Sequence, residues 1–220
     1  NMVEISTSIL GADEQEAMKI FYDLEVAKTD YYHIDVMDGK FVERDTTCLM
    51  YSYASSIKQM SNVPLDVHLM VEKPKEFVEQ YIALEPHFIT IHYEACENKK
   101  QVKEILEFIK QNGIQCGLSI KPGTKIEEIY EFLPYISLVL VMTVEPGKGG
   151  QKIIPETIEK ISKLKEYIYQ NNLDTFVEAD GGIKIENANL LKEAGVDIMV
   201  VGSGILNTTD YKKAIQELKK

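Results

Sequence analysis

LDVHLMVEKPKEFVEQYIALEPHFITIHYEACENKKQVKEILEFIKQNG, residues 65–113, runs through one pattern twice. Short apolar, β-branched runs at 65–69 and 88–92 read as buried strands. Each is followed by an amphipathic stretch, at 74–84 and 99–112. Within the second, Val102, Ile105, Leu106 and Ile109 fall at i, i+3, i+4 and i+7, which gives a helix one apolar face. Pro74 stands where a helix start is expected and Gly113 where an end is expected. Strand, helix, strand, helix predicts parallel strands joined by crossover helices.

The same alternation extends both ways. Further strands are predicted at 3–10, 32–36, 115–120, 138–143, 175–179 and 198–201. Further helices are predicted at 14–28, 50–60, 126–132, 155–170, 187–194 and 211–218. Pro155 and Asp210 mark starts, and Gly195 marks an end. Eight strands, each followed by a helix, make the count of a closed (β/α)8 TIM barrel, and 220 residues suffice to build one. An open doubly wound sheet is the rival, and it usually has fewer strands. No linker or low-complexity tract divides the chain, so residues 1–220 read as a single domain.

Composition narrows the function. A net charge of −11 argues against a nucleic-acid partner, whose phosphates need a basic face. The longest apolar run, residues 136–144, is too short to cross a bilayer. No signal-like segment opens the chain, and Asn1 ahead of Met2 reads as a residue left by an expression tag. The three cysteines, Cys48, Cys96 and Cys116, form no close pair. Both features suit the cytoplasm. Arg44 is the one arginine among 24 basic side chains, so a phosphorylated ligand would have to be gripped by backbone N–H groups.

Strand ends converge on one mouth of such a barrel. The second strand brings His33 and Asp35, two apart and so on the same side. The third brings His68, and the seventh brings Asp180 just before Gly181 and Gly182. A lone imidazole at a strand end is ordinarily a hydrogen-bonded rim residue, and His92 reads that way, while His87 reads as a surface or loop residue. Two histidines and two aspartates from three strand ends instead suggest a site for one divalent transition metal.

Glycines form a second group. Gly147, Lys148, Gly149 and Gly150 follow strand six, Gly181 and Gly182 follow strand seven, and Gly202 and Ser203 follow strand eight. Any one pair could be a tight turn. Three such loops at neighbouring strand ends suit an anion cradled by backbone N–H groups. Met37, Met70 and Met142 also lie at strand ends, where they fill core or wall a reacting centre.

The stretches HIDVMDGKFV (33–42), PLDVHLMVEKP (64–74), VMTVEPGKGGQ (141–151), EADGGI (178–183) and VGSGI (201–205), with Ser6 to Leu10, resemble the ribulose-phosphate 3-epimerase family. They span almost the entire chain in order. The resemblance implies a metal-dependent isomerase that interconverts D-ribulose 5-phosphate and D-xylulose 5-phosphate through a cis-enediolate. It implies His33, Asp35, His68 and Asp180 as ligands of Zn, Fe, Mn or Co, with Asp35 and Asp180 also as the acid–base pair. Ser8 and His68 would contact the sugar. Gly147, Lys148, Gly149, Gly150, Gly181, Gly182, Gly202 and Ser203 would hold the phosphate, and Met37, Met70 and Met142 would shield the intermediate. A homo-oligomer is implied as well.

The chain departs from that family's usual pattern at Thr7, at Glu43, Arg44, Asp45, Thr46 and Thr47, at Glu145, and at Lys148. These departures keep open a sibling activity on a hexulose phosphate such as D-allulose 6-phosphate. A phosphate-binding barrel lyase is less well supported, because no lysine stands between Asp35 and Asp38. A non-catalytic sugar-phosphate sensor would not need both acids.

Overall fold

The structure is a computed structural model and describes residues 2–220. Eight parallel strands close into a barrel in chain order. They are β1 (Glu4–Ser8), β2 (Tyr31–Met37), β3 (Leu65–Met70), β4 (Phe88–His92), β5 (Gln115–Ile120), β6 (Leu138–Met142), β7 (Phe176–Asp180) and β8 (Ile198–Val201). Every neighbouring pair is parallel, and β8 returns to pair with β1 through Glu4↔Ile198 and Ile5↔Met199.

Helices α1 (Ala17–Val26), α2 (Thr47–Met60), α3 (Pro74–Ile82), α4 (Lys99–Gln111), α5 (Pro155–Gln170), α6 (Ala188–Ala194), α7 (Ser203–Leu206) and α8 (Tyr211–Lys219) ring the strands. Val102, Ile105, Leu106 and Ile109 are all buried on α4, as their spacing requires. Pro74 and Pro155 open α3 and α5, and Gly195 ends α6 at φ +102°. The open-sheet alternative is excluded by closure.

Three elements differ from the sequence expectation, one of them an unanticipated 3-10 turn at Tyr93–Ala95 just after β4. The segment expected as a helix at 126–132 is a 3-10 helix over Ile126–Tyr135 with Pro134 inside it. Proline lacks an N–H and its ring crowds the carbonyl four residues back, which disfavours α-helical winding there. The four-residue α7 was not anticipated, since it is too short to show a periodic face.

Strand alternation sorts the buried residues into two shells. Ile34, Val36, Val67, Leu69, Val139 and Val141 face outward and join Phe21, Leu24, Tyr81, Ile105 and Leu164 of the helices in the main core. Inward residues stack in layers along the bore, each layer drawn from alternate strands. At the N-terminal end, Tyr31, Phe88, Leu138 and Ile198 from β2, β4, β6 and β8 form a separate apolar cluster. Above it lie buried Ser6, Asp66 and Glu178 from β1, β3 and β7.

Candidate active site

The register places Asp35 beside His68, and Met142 beside Asp180, at the C-terminal ends of the strands. His33 and His68 are fully buried, with Asp35 and Asp180 nearer the opening. Each of the four offers one ligand-type atom, and these atoms all lie within 4.8 Å of one another. His33 Nε2 lies 3.1 Å from Asp35 Oδ1 and 3.5 Å from Asp180 Oδ2. His68 Nδ1 lies 3.2 Å from Asp180 Oδ2 and 3.7 Å from Asp35 Oδ1.

These spacings test whether a cation fits. Donors 2.0–2.2 Å from a tetrahedral centre stand about 3.3–3.6 Å apart, close to the separations observed. His33 Nε2 and His68 Nδ1 are also buried without a hydrogen-bond partner. Unpaired buried polar atoms are costly, and two of them aimed at two carboxylates suit a shared ligand. The residues present fit a metal.

The two carboxylates and two imidazoles perturb one another strongly. Burial alone would raise the Asp35 carboxyl, but His33 and His68 hold it far below the usual carboxylate range. Asp180 is likewise lowered, the pull of His33 and His68 outweighing burial. Burial works against a charged His33, yet Asp35 and Asp66 lift its pKa well above that of free imidazole. For His68 the same opposition of burial to Asp180 and Asp35 ends in a raised value.

The neighbours of these four explain their orientation. Ser8 Oγ donates to Asp35 Oδ2 at 2.6 Å. Thr46 Oγ1 donates to the Asp35 carbonyl at 2.7 Å and accepts from Met37 N at 3.0 Å, tying the following loop to the strand end. Asp38 accepts from Lys40 N and Phe41 N through Oδ1, and from Glu72 N through Oδ2, so it joins the β2 and β3 loops. His33 Nδ1 sits 2.9 Å from Asp66 Oδ2, which also accepts from Ser6 Oγ at 2.8 Å. This contact favours the Nδ1 proton, and a neutral His33 so held turns its Nε2 lone pair to the site.

A cavity of about 760 Å³ opens over Asp35 and Asp180. Ser8, Met37, Met70 and Met142 line it, as do Gly147, Lys148, Gly149, Gly150, Gly181, Gly182, Gly202 and Ser203. Met37 and Met70 pack with Val42 in one patch, and Met142 with Leu140 and Val144 in another. The glycines are needed where the loops press together. At Gly147 (φ +85°) a Cβ would lie 2.7 Å from Val42 Cβ, and at Gly182 (φ +71°) it would lie 2.9 Å from the Gln151 carbonyl oxygen. Gln151 Nε2 donates to the carbonyls of Glu145 and Lys148, pinning the β6–α5 loop.

Four chemically important residues were not singled out from the sequence as site residues. Asp66 and Glu178 are fully buried in the bore, two positions before His68 and Asp180 and so on the same inward side. Burial and the nearby Asp66 charge push the Glu178 carboxyl well up, whereas His33 overcomes burial to bring Asp66 down to about 2. His92, read from sequence as a rim residue, is fully buried behind His68, and Glu94 follows it on the outer side. Burial lowers His92 to about 4 against the opposing pull of Glu94. His87 is exposed, as expected of a loop residue.

Paired acids and imidazoles at the C-terminal mouth, under glycine-rich loops, mark the candidate active site of a (β/α)8 barrel, with donors that fit a metal. A sequence model of the Ribulose-phosphate 3 epimerase family matches residues 4–206. The ribulose-phosphate 3-epimerase of Helicobacter pylori J99 is 40% identical, the match covering 99% of this chain and 97% of that protein. Those of Bacillus subtilis (34%; 99% of each chain) and Methanocaldococcus jannaschii (37%; 100% of this chain, 91% of that one) are similar too. The chain belongs to the ribulose-phosphate 3-epimerase family and is an isomerase.

The same fold occurs at far lower identity. KGPDC from Streptococcus mutans superposes with a TM-score of 0.73 at 12% identity, covering 99% of this chain and 95% of that one. The 3-hexulose-6-phosphate synthase of Salmonella typhimurium gives 0.70 at 12%, covering 99% and 97%. At such identity these likenesses concern architecture alone.

Proposed function

We propose that this protein interconverts D-ribulose 5-phosphate and D-xylulose 5-phosphate by inverting C3. The observation that carries the reading is the meeting of Asp35 and Asp180 over two unpaired imidazole nitrogens, at the floor of a glycine-rimmed cavity. Inversion needs one group to remove the C3 proton and another to return it from the opposite side. Asp35 and Asp180, carried by β2 and β7, take these roles and exchange them when the reaction reverses. They must hold different protonation states at each step, and proton exchange resets them after turnover.

Ser8 keeps Asp35 oriented. Met37, Met70 and Met142 keep water from the enediolate. The N–H groups of Gly147, Gly149, Gly150, Gly181, Gly182, Gly202 and Ser203 receive the phosphate, with Lys148 as an added point charge. One divalent transition metal (Zn, Fe, Mn or Co) held by His33 Nε2, Asp35, His68 Nδ1 and Asp180 would polarise the substrate carbonyl as a Lewis acid. We place the enzyme in the cytoplasm as a homo-oligomer, a reading that rests on resemblance to the family. Among the described residues no helix is long and apolar enough to cross a membrane.

A hexulose phosphate such as D-allulose 6-phosphate is the second reading. It is favoured by Arg44 and Lys148, both of which line the cavity from segments that depart from the family's usual pattern. Turnover of each sugar in a coupled assay decides between them. Chelation is expected to abolish activity, and metals restored singly to recover it. Failure on both sugars with every metal supplied would end both versions.

A further inference from the structure

His68 belongs to a hydrogen-bond chain that leads away from the cavity. Its Nε2 lies 3.0 Å from His92 Nε2, and the two rings are only 28° from parallel with centroids 5.0 Å apart. The N···N distance is that of an N–H···N hydrogen bond between the two ring edges. His92 Nδ1 in turn lies 2.8 Å from Glu94 Oε1. The second oxygen of Glu94 accepts from Lys121 N at 2.7 Å and from Thr124 Oγ1 at 2.6 Å. Lys160 Nζ donates to the carbonyls of Lys121, Pro122 and Thr124 and so fixes the loop that holds Glu94.

With the His68 Nδ1 lone pair turned to a cation and His92 neutral, one arrangement of protons satisfies this chain. For His68 to offer the Nδ1 lone pair to the site, its proton must sit on Nε2. That N–H needs an acceptor, and His92 Nε2 is one only if the His92 proton is on Nδ1. The Nδ1–H then needs an acceptor of its own, which Glu94 Oε1 supplies. We propose that Glu94 and His92 are positioning residues that set the tautomer of His68 and hold its Nδ1 lone pair toward Asp35 and Asp180. The proposal rests on the reading of His33, Asp35, His68 and Asp180 as a cation site. It gives His68 the counterpart of what Asp66 does for His33, except that the carboxylate acts through an intervening imidazole.

Substitutions separate a positioning role from simple packing. His92→Phe keeps the ring, beside the Phe41 ring 5.0 Å away, but leaves the His68 N–H without an acceptor. His92→Gln can present an amide oxygen near the place of Nε2. Glu94→Gln must turn its oxygen toward Lys121 N and Thr124, so its NH2 faces His92 Nδ1. That forces the other His92 tautomer and sets two N–H groups against each other.

The test is zinc affinity of the full chain by chelator competition, with circular dichroism to confirm folding. His92→Phe and Glu94→Gln are expected to bind zinc about 10–100-fold more weakly than wild type, as loss of outer partners of a metal-ligating histidine typically does. His92→Gln is expected to recover most of that loss. Nitrogen NMR of 15N-histidine in the zinc-loaded wild type provides a readout that needs no variant, with protons expected on His68 Nε2 and His92 Nδ1. The opposite His92 tautomer, or folded variants that all bind zinc as wild type does, would overturn the relay alone. A wild type that binds no divalent metal would overturn the cation site and the relay with it.

Discussion

At the N-terminal end of the barrel the bore is filled by Tyr31, Phe88, Leu138 and Ile198, all buried and apolar. At the C-terminal end Asp35 of β2, His68 of β3, His92 of β4 and Asp180 of β7 lie beneath an open cavity. Apart from Thr7 of β1, which pairs with Thr29, the outer faces of the strands stay apolar against the helices along their length. Only the inward positions switch from oil to charge, and Ser6, Asp66 and Glu178 form the transition between them. One end supplies cohesion, so the other can carry buried charges that a well-packed core would reject.

The comparison breaks first, and hardest, at the mouth. Asp180→Asn is expected to cut kcat about 10²–10⁴-fold, the usual cost of removing a positioned acid or base, while thermal melting still reports a folded barrel. Equal activity in that variant would separate Asp180 from the chemistry.

At the other end the signs reverse. Phe88→Ala is expected to lower unfolding free energy by about 3–5 kcal/mol in urea titrations, because it opens a cavity in a fully buried plug. Activity per folded molecule should stay near wild type. A matching loss of kcat would mean that the two ends are mechanically coupled.

The transition layer gives the smallest and most pH-dependent effect. The Glu178 pKa is raised in the folded protein, so above its ordinary value of 4.5 the folded state keeps a proton that the unfolded chain has released. Stability therefore falls as pH rises from 4.5 toward the folded pKa. The slope is at most about 1.4 kcal/mol per pH unit for one proton. Glu178→Gln removes that component, and melts of both proteins across pH 5 to 8 should show a flatter profile for the variant. Parallel profiles would show that Glu178 is ionised in the folded state.

The mouth residues were legible because strands alternate with period two and barrel strands share one direction. His33, Asp35, His68 and Asp180 needed no more than that to be placed together. His92 and Glu94 were harder to place, since a histidine that ends a strand looks the same whether it meets solvent or another imidazole. Asp66 and Glu178 carried the same inward spacing as the ligands after them, but nothing local indicated that they sit too deep for solvent. The segment at 126–132 was read by its apolar pattern, and Pro134 just beyond it decided the tighter winding.

The amino-acid order alone determined the number and order of strands, the glycine loops and the four converging side chains. All of these follow from local periodicity and from residue types with few alternative uses. Tertiary structure decided which ring nitrogen faces the site and which carboxylates lie in the dry bore. It also closed the β6–α5 loop onto Val42. Those features depend on register and shear around a closed sheet, where neighbours tens of residues apart in the chain meet at hydrogen-bonding distance.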